Sequence, residues 1–423
     1  MQKVDLLLTN AGQLVTCASE GRPKRGEQMR DVGMIQNGAV AVQDGKIIAG
    51  GSTDEITAQY ESGTVIDASG KAVVPGFVDC HTHVVYAGSR LDEFEMRIAG
   101  KSYLEIMAAG GGIASTVKAT RSASEDELFG QSFKRLDTML ELGTTTAEIK
   151  TGYGLDVATE MKILHVIEAL EKEHPVRIVP TFLGAHAIPP EYKGRSQAYV
   201  EVVLAMIVEA IEWYQNSIFA EENKPFFNDV FTEKNAFNVQ QSQAVLEVGK
   251  ELGMGVKAHV DEFTDLGGVA MAVGLGAVSV DHLDVTSEFD LKQLALTNTV
   301  GVVLPIVNMN LGSTHFANAR ALIDANGILA LATDINPGSA PSPSMPITMS
   351  IATRYQKLLP AEALNASTIN AAFAIGMGAS VGSIETGKYA DMLILDTHDY
   401  RDMIYQIGGN LVETVILGGE IIQ

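Results

Sequence analysis

Cysteine and tryptophan are nearly missing from this chain, with two of the former and one of the latter in 423 residues. Two cysteines cannot build a disulfide framework. Cys17 and Cys80 both fall in segments that read as strands, and a reducing cytoplasm is the expected setting. Proline is scarce at 13 residues, and the 41 glycines follow no period, which excludes collagen-like and proline-rich disordered classes. Basic residues are also short, 30 Lys and Arg against 52 Asp and Glu, for a net charge of −22. No basic stripe offsets that charge, so neither nucleic acid nor an anionic membrane is an expected partner. A small anionic substrate remains admissible, because local positive groups act at short range. No stretch approaches the roughly 20 apolar residues of a membrane span. The N-terminal run Leu6-Leu7-Leu8 is too short for a signal sequence.

What is present alternates. Residues up to about 70 read as short strands, Asp5–Leu8, Leu14–Thr16, Ala39–Gln43, Lys46–Ile48 and Thr64–Asp67, with Asp44-Gly45 as a hairpin signal. The C-terminal end reads the same way at Met392–Leu395 and Val412–Leu417. Neither end makes a core alone, so the two are expected to join as one small β-sandwich domain, residues 1–70 with 379–423. Between them, in residues 71–378, eight apolar segments alternate with helical patterns. The strands are Gly76–His83, Thr144–Lys150, Arg177–His186, Asp229–Glu233, Gly255–His259, Ala277–His282, Gly301–Pro305 and Leu329–Asp334. The helical patterns include Glu160–Lys172, Gln197–Trp213, Gln240–Leu252, Leu266–Val273 and Asp290–Thr297. Eight βα units in series predict a parallel (β/α)₈ barrel in preference to an open doubly wound sheet.

Six of those strands end in a residue that binds metal or moves protons: His81 and His83, His186, Glu233, His259, His282 and Asp334. Barrel active sites sit at the C-terminal ends of the strands, where these side chains converge. A lone His-x-His pair is weak support for a metal. Here strand alternation puts His81 and His83 on one face, after the apolar strand Pro75-Gly76-Phe77-Val78-Asp79. A buried pair of imidazoles without partners is costly, and coordination satisfies both. Adding His259 and Asp334 makes an N/O set suited to one zinc or iron(II) ion. Taken alone, Asp334 reads better as a helix cap or turn residue in Asp334-Ile335-Asn336-Pro337-Gly338. A second metal needs a bridging group such as a carboxylated lysine on the fourth strand, which has none; Lys150 ends the second. Glu262, three residues after His259, and His282 are candidate proton carriers for C–N hydrolysis. Cys80 alternates away from His81 and is expected to be packed.

These residues, with Gly387-Lys388-Tyr389-Ala390-Asp391-Met392, resemble the amidohydrolase superfamily over nearly the whole chain. The stretches Glu93-Phe94-Glu95, Gly110-Gly111-Gly112-Ile113, Glu148–Leu155, Phe182–His186, His259–Phe263, Asp281-His282-Leu283 and Thr333–Ser339 resemble the branch that opens the imidazolone ring in histidine breakdown. Val260 and Thr151 depart from its pattern, standing where alanine and serine are expected. The resemblance implies water opening 4-imidazolone-5-propanoate to N-formimidoyl-L-glutamate, with one zinc or iron ion, in a homodimer. It implies Arg90, Tyr103, Tyr153, His186, Glu262, Asn336, Gly338 and Ser339 as substrate contacts. Arg90 has the chemistry to grip the propionate bidentately, but a salt bridge to Asp92 or Glu93 competes for it. The Gly110–Gly112 run lacks the lysine of a phosphate loop and is expected to belong to a lid. In the expected mechanism Asp334 and His282 deprotonate the water, His186 or His282 helps the metal hold the oxyanion, and Glu262 relays a proton to the ring nitrogen. The alternative is a metal-dependent aminohydrolase that deaminates a nucleobase-like heterocycle. A metal-free scaffold or a simple binding barrel is the reading from another class, and a protein without metal affinity would favour it.

Overall fold

The computed structural model describes residues 1–101, 105 and 110–422. Its centre is eight strands: β1 (Phe77–Asp79), β2 (Thr144–Lys150), β3 (Arg177–Ala185), β4 (Phe227–Thr232), β5 (Gly255–Val260), β6 (Ser279–His282), β7 (Val300–Val303) and β8 (Leu329–Leu331). They pair in chain order and in parallel. Helices Val157–Glu173, Ser196–Gln215, Val239–Glu251, Gly268–Gly274 and Glu288–Ala295 form the crossovers. The seam between β1 and β8 is closed beyond their ends. Asp334 N–H donates to His81 O and His83 N–H to Ile335 O, both at 3.0 Å. Asp79 accepts from the Thr333 N–H at 3.0 Å and its hydroxyl at 2.6 Å. The backbone that closes the barrel is therefore the backbone that carries His81, His83 and Asp334.

Four boundaries differ from expectation for physical reasons. β1 stops at Asp79 rather than His83, and β8 at Leu331 rather than Asp334. Asp334 has φ 54°, outside the extended backbone of a regular strand. Pro305 does not end β7 but opens a short helix, Pro305–Asn310, where its missing N–H costs nothing. The helix expected from Glu160 starts at Val157, because the Asp156 side chain caps it through Thr159 N–H.

Both chain ends build a second sheet. Ala72–Pro75 pairs with Leu6–Val15 on one side and with Met392–Leu395 on the other, so the sheet needs both termini. Leu6–Val15 is a single strand, not two, because Asn10 at φ 57° absorbs an irregularity between Leu8 and Ala11. Leu8, Leu14, Val40, Val73, Met392 and Ile416 form its core. The Asp44-Gly45 hairpin has both residues at positive φ, 51° and 71°, as its turn type requires. Among the described residues no helix is long and apolar enough to cross a membrane.

Candidate active site

At the C-terminal mouth of the barrel five side chains meet, and all are almost fully buried: His81, His83, His259, His282 and Asp334. One potential ligand atom each from His81, His83 and His259 lies within 4.8 Å of the others, and the same holds for His81, His282 and Asp334. Asp334 Oδ1 stands 3.5 Å from His81 Nε2 and 3.4 Å from His83 Nε2. The far sides of two rings are fixed. His81 Nδ1–H donates to Asp281 Oδ2 at 2.7 Å, and His259 Nδ1–H to Asp229 Oδ1 at 3.1 Å. That sets the tautomer and leaves each Nε2 as a lone pair aimed inward, buried and without a hydrogen-bond partner. Carboxylate-held histidines with unpartnered Nε2 atoms are the arrangement of a metal site. Burial, followed by neighbouring positive groups, pushes His81 and His83 well below the ordinary histidine range, so both rings are neutral, as ligands must be. Burial pushes the Asp334 carboxyl well above its ordinary range, so its anion calls for a cation beside it. The donor set fits one divalent ion.

Asp334 (φ 54°) and His282 (φ 84°) both hold a backbone shape that L-residues seldom adopt. Such shapes persist only where surroundings impose them. For Asp334 the constraint is the seam bond to His81 O and the Asn336 Nδ2–H donated to Asp334 O at 2.7 Å.

Around this centre the expected contacts fall unevenly. His186 stacks on His83 with ring centroids 5.0 Å apart and donates Nδ1–H to Gly152 O at 3.0 Å. Burial lowers its pKa to about 3, so the ring is neutral and Nε2 is an acceptor, not a donor. Only Gly fits at 152: its φ is 108°, and a Cβ would sit 2.8 Å from His186 Nδ1. Tyr153 is buried against His83 and His186. Its loop hangs on Glu160, whose carboxylate accepts from Gly152, Gly154 and Leu155 N–H at 2.7–2.9 Å. Glu262 lies 3.8 Å from His282 Nε2, and burial pushes its carboxyl well above the usual range. Glu233 is committed elsewhere, accepting from the Phe263 and Thr264 N–H groups and so fixing the loop that carries Glu262.

Arg90 is paired with Glu93, Nε to Oε1 and Nη2 to Oε2 both at 2.6 Å, the salt bridge that competed for it in the sequence. Its Nη1 faces Gly338. Arg97, absent from the sequence reading, donates to Gly338 O at 3.4 Å. Asn336 Oδ1 accepts from the Gly338 and Ser339 N–H groups, so it shapes the loop. Tyr103 lies outside the described residues.

Below the histidines, Asp229, Asp281, Glu148, Lys150 and Lys257 form a fully buried ionic layer that sequence reasoning also missed. Burial opposes the charge of Lys150, but Asp229, Glu148 and Asp281 together hold it above the ordinary lysine range. A cavity of about 1020 Å³ at the opposite end of the barrel, lined by Arg22, Lys24, Thr297 and Asn298, contains none of these groups.

A family model described as the amidohydrolase family matches residues 72–422. Over 423 residues the chain is 52% identical to an imidazolonepropionase of Chloroflexus aggregans, covering 100% of this chain and 99% of that one. It is 50% identical to an imidazolonepropionase of Herpetosiphon aurantiacus, with 100% and 98% covered. The chain belongs to the amidohydrolase family, among the imidazolonepropionases. Solved amidohydrolase-like structures share its fold. An adenosine deaminase from Xanthomonas campestris with bound zinc aligns with TM-score 0.72 at 21% identity, covering 99% of this chain and 93% of that one. A guanine deaminase of E. coli aligns with TM-score 0.69 at 16% identity, with 99% and 98% covered. At those identities the likeness is of fold alone, so the family's deaminases lend no activity to this chain.

Proposed function

We propose that the protein adds water to 4-imidazolone-5-propanoate and opens its ring to N-formimidoyl-L-glutamate, a step of histidine breakdown. His81, His83 and His259 through Nε2, with Asp334 through Oδ1, would hold one zinc or iron(II) ion, for which this N/O set is equally suited. The observation that carries the reading is the meeting of His81, His83 and His259, with the buried Asp334 carboxylate 3.5 and 3.4 Å from the first two, in a chain 52% identical to an imidazolonepropionase along its length.

When bound, the ion supplies an acidified water near neutral pH and polarises the scissile carbonyl. Asp334 accepts the proton of the attacking water, and His282 beside it keeps that carboxylate and the water aligned. Glu262, lifted towards its protonated form, delivers a proton to the departing ring nitrogen, so one proton leaves at Asp334 and one arrives through Glu262. His186 accepts a ring N–H through Nε2. The oxyanion role considered for it from sequence does not suit a nitrogen that lacks a proton, and passes to His282. Arg90, with Nη1 still unengaged by Glu93, and Tyr153 receive the propionate, and Gly338 and Ser339 line the same loop.

The test is direct. Purified protein loaded with zinc or iron(II) should consume imidazolone absorbance and release N-formimidoyl-L-glutamate, and metal analysis should give one ion per chain. Ammonia release from guanine or adenosine, with no imidazolone turnover, would replace this reading by a deaminase.

A further inference from the structure

The ionic layer beneath the histidines is more than filler. Strand alternation lines Glu148 with Lys150 on β2 and Lys257 with His259 on β5, and Asp229 and Asp281 reach in from β4 and β6. All five are at 0% exposure. Lys150 Nζ donates to Asp229 Oδ2 at 2.7 Å and to Glu148 Oε1 at 3.0 Å, and lies 3.6 Å from Asp281 Oδ2. Lys257 Nζ donates to Glu148 Oε2 at 2.9 Å and to the carbonyls of Cys80 and Ala374. Among the described residues the ion pairs of Asp229 and Asp281 with a lysine are both to Lys150. Those two carboxylates are the ones that grip His259 and His81.

We propose that Lys150 is a positioning residue for the metal: one ammonium ties Asp229 to Asp281 and thereby fixes two ligand histidines relative to each other. The inference rests on the reading that His81 and His259 hold a metal. His259 Nδ1 lies 3.1 Å from both Asp229 oxygens, and Asp281 Oδ2 faces His81 Nδ1 at 2.7 Å and Lys150 at 3.6 Å, so Lys150 sets the angle at which each carboxylate meets its ring. The Ser279 hydroxyl steadies Asp281 at 2.6 Å and the Val230 N–H steadies Asp229 at 2.7 Å, so the arms differ in Lys150 itself, which is 2.7 Å from Asp229 and 3.6 Å from Asp281 and makes the Asp229–His259 arm the more dependent. Lys257, at the same depth and with the same charge, is a built-in comparison, because it favours the Asp281 anion through space but hydrogen-bonds Glu148 and neither ring-holding carboxylate.

The experiment measures zinc affinity of the full chain by competition with a chromophoric chelator, for wild type, Lys150→Met, Lys150→Gln and Lys257→Met. It adds visible spectra of the cobalt-loaded proteins and histidine tautomers of the metal-free proteins by long-range proton–nitrogen correlation. Partners that orient metal ligands typically carry about 10–100-fold in affinity. Both Lys150 variants should lose about 10-fold or more, with an altered cobalt spectrum and loss of the pure Nδ1–H form at His259. Lys257→Met should lose less than about 3-fold. Because Lys150→Met leaves a buried carboxylate without its cation, Lys150→Gln, which keeps an N–H donor, carries the result if the first does not fold. Wild-type affinity and spectrum in a folded Lys150 variant, or equal losses at Lys150 and Lys257, overturn the proposal. So does a wild-type apo protein without Nδ1–H at His81 and His259. A wild type that takes up no zinc overturns instead the reading of the site itself.

Discussion

Gly338→Ala tests the proposed carboxylate grip without replacing any charged group. A Cβ at 338 would lie 2.6 Å from Arg90 Nη1, 3.0 Å from its Cζ and 3.3 Å from Nη2. The backbone there has no positive φ, so the substitution introduces no strain of its own. What must yield is the end of a flexible side chain, and the guanidinium swings off the loop. Its fork on Glu93 and the Nη1 proposed to receive the propionate are displaced together. A hydrogen bond to a charged group contributes about 1.5–3 kcal/mol, so kcat/KM should fall by about 10- to 150-fold. The loss should appear in KM more than in kcat, because the propionate is remote from the ring carbon under attack. The assay is imidazolone consumption in the ultraviolet, for Gly338→Ala, Arg90→Met and the double variant. If the alanine acts through Arg90, it costs little once Arg90 is gone, and the cycle shows strong coupling. Equal losses from Gly338→Ala with and without Arg90 would refute the reasoning.

Three further outcomes follow from the same geometry. Glu262→Gln should lower kcat by about 10²–10⁴-fold with metal content unchanged; near-normal turnover removes the proton relay. Chelation should lower Tm, and zinc or iron(II) should restore it, since an ion at 100 times its Kd adds about 2.7 kcal/mol; an indifferent Tm would argue against a resident metal. Asp284 is pushed up to about 7 by burial, an effect that Asn308 and the Ala317 N–H only partly oppose. A carboxyl raised on folding holds its proton where the unfolded chain has released it, so stability falls as pH rises from about 4 to 7 and the penalty is full above that. Asp284→Asn escapes it. Between about pH 5.5 and 8 the variant should gain about 2 kcal/mol on wild type in urea unfolding, and a pH-independent difference would count against the buried charge.

The alternation of strand and helix was legible because each crossover buries one apolar stripe and each strand an apolar run. That periodicity is written locally, in windows of ten or so residues. The ends of β1 and β8 were not. There the chain leaves the ladder to bring His81, His83 and Asp334 to the mouth, and the positive φ of Asp334 is imposed by the seam rather than by any local preference. The long strand Leu6–Val15 was split for the converse reason. Asn10-Ala11-Gly12 carries turn chemistry, and only pairing across the sheet holds it extended.

Side chains that end strands announce themselves by position, which is why the histidines and Asp334 could be named as a group. Their supports could not. His81 meets Asp281 across 200 residues and His259 meets Asp229 across 30, and no spacing along the chain encodes such pairs. Lys150 was weighed only as a bridging ligand, because a lysine at a strand end is conspicuous as a metal bridge and anonymous as a counter-ion. The information that separates those roles is register: which inward-facing residues of neighbouring strands share a layer. In a parallel barrel that register is set by all eight strands at once. Ligand identity therefore belongs to single strands and can be read from them. Ligand orientation belongs to the layer beneath, and requires the closed barrel.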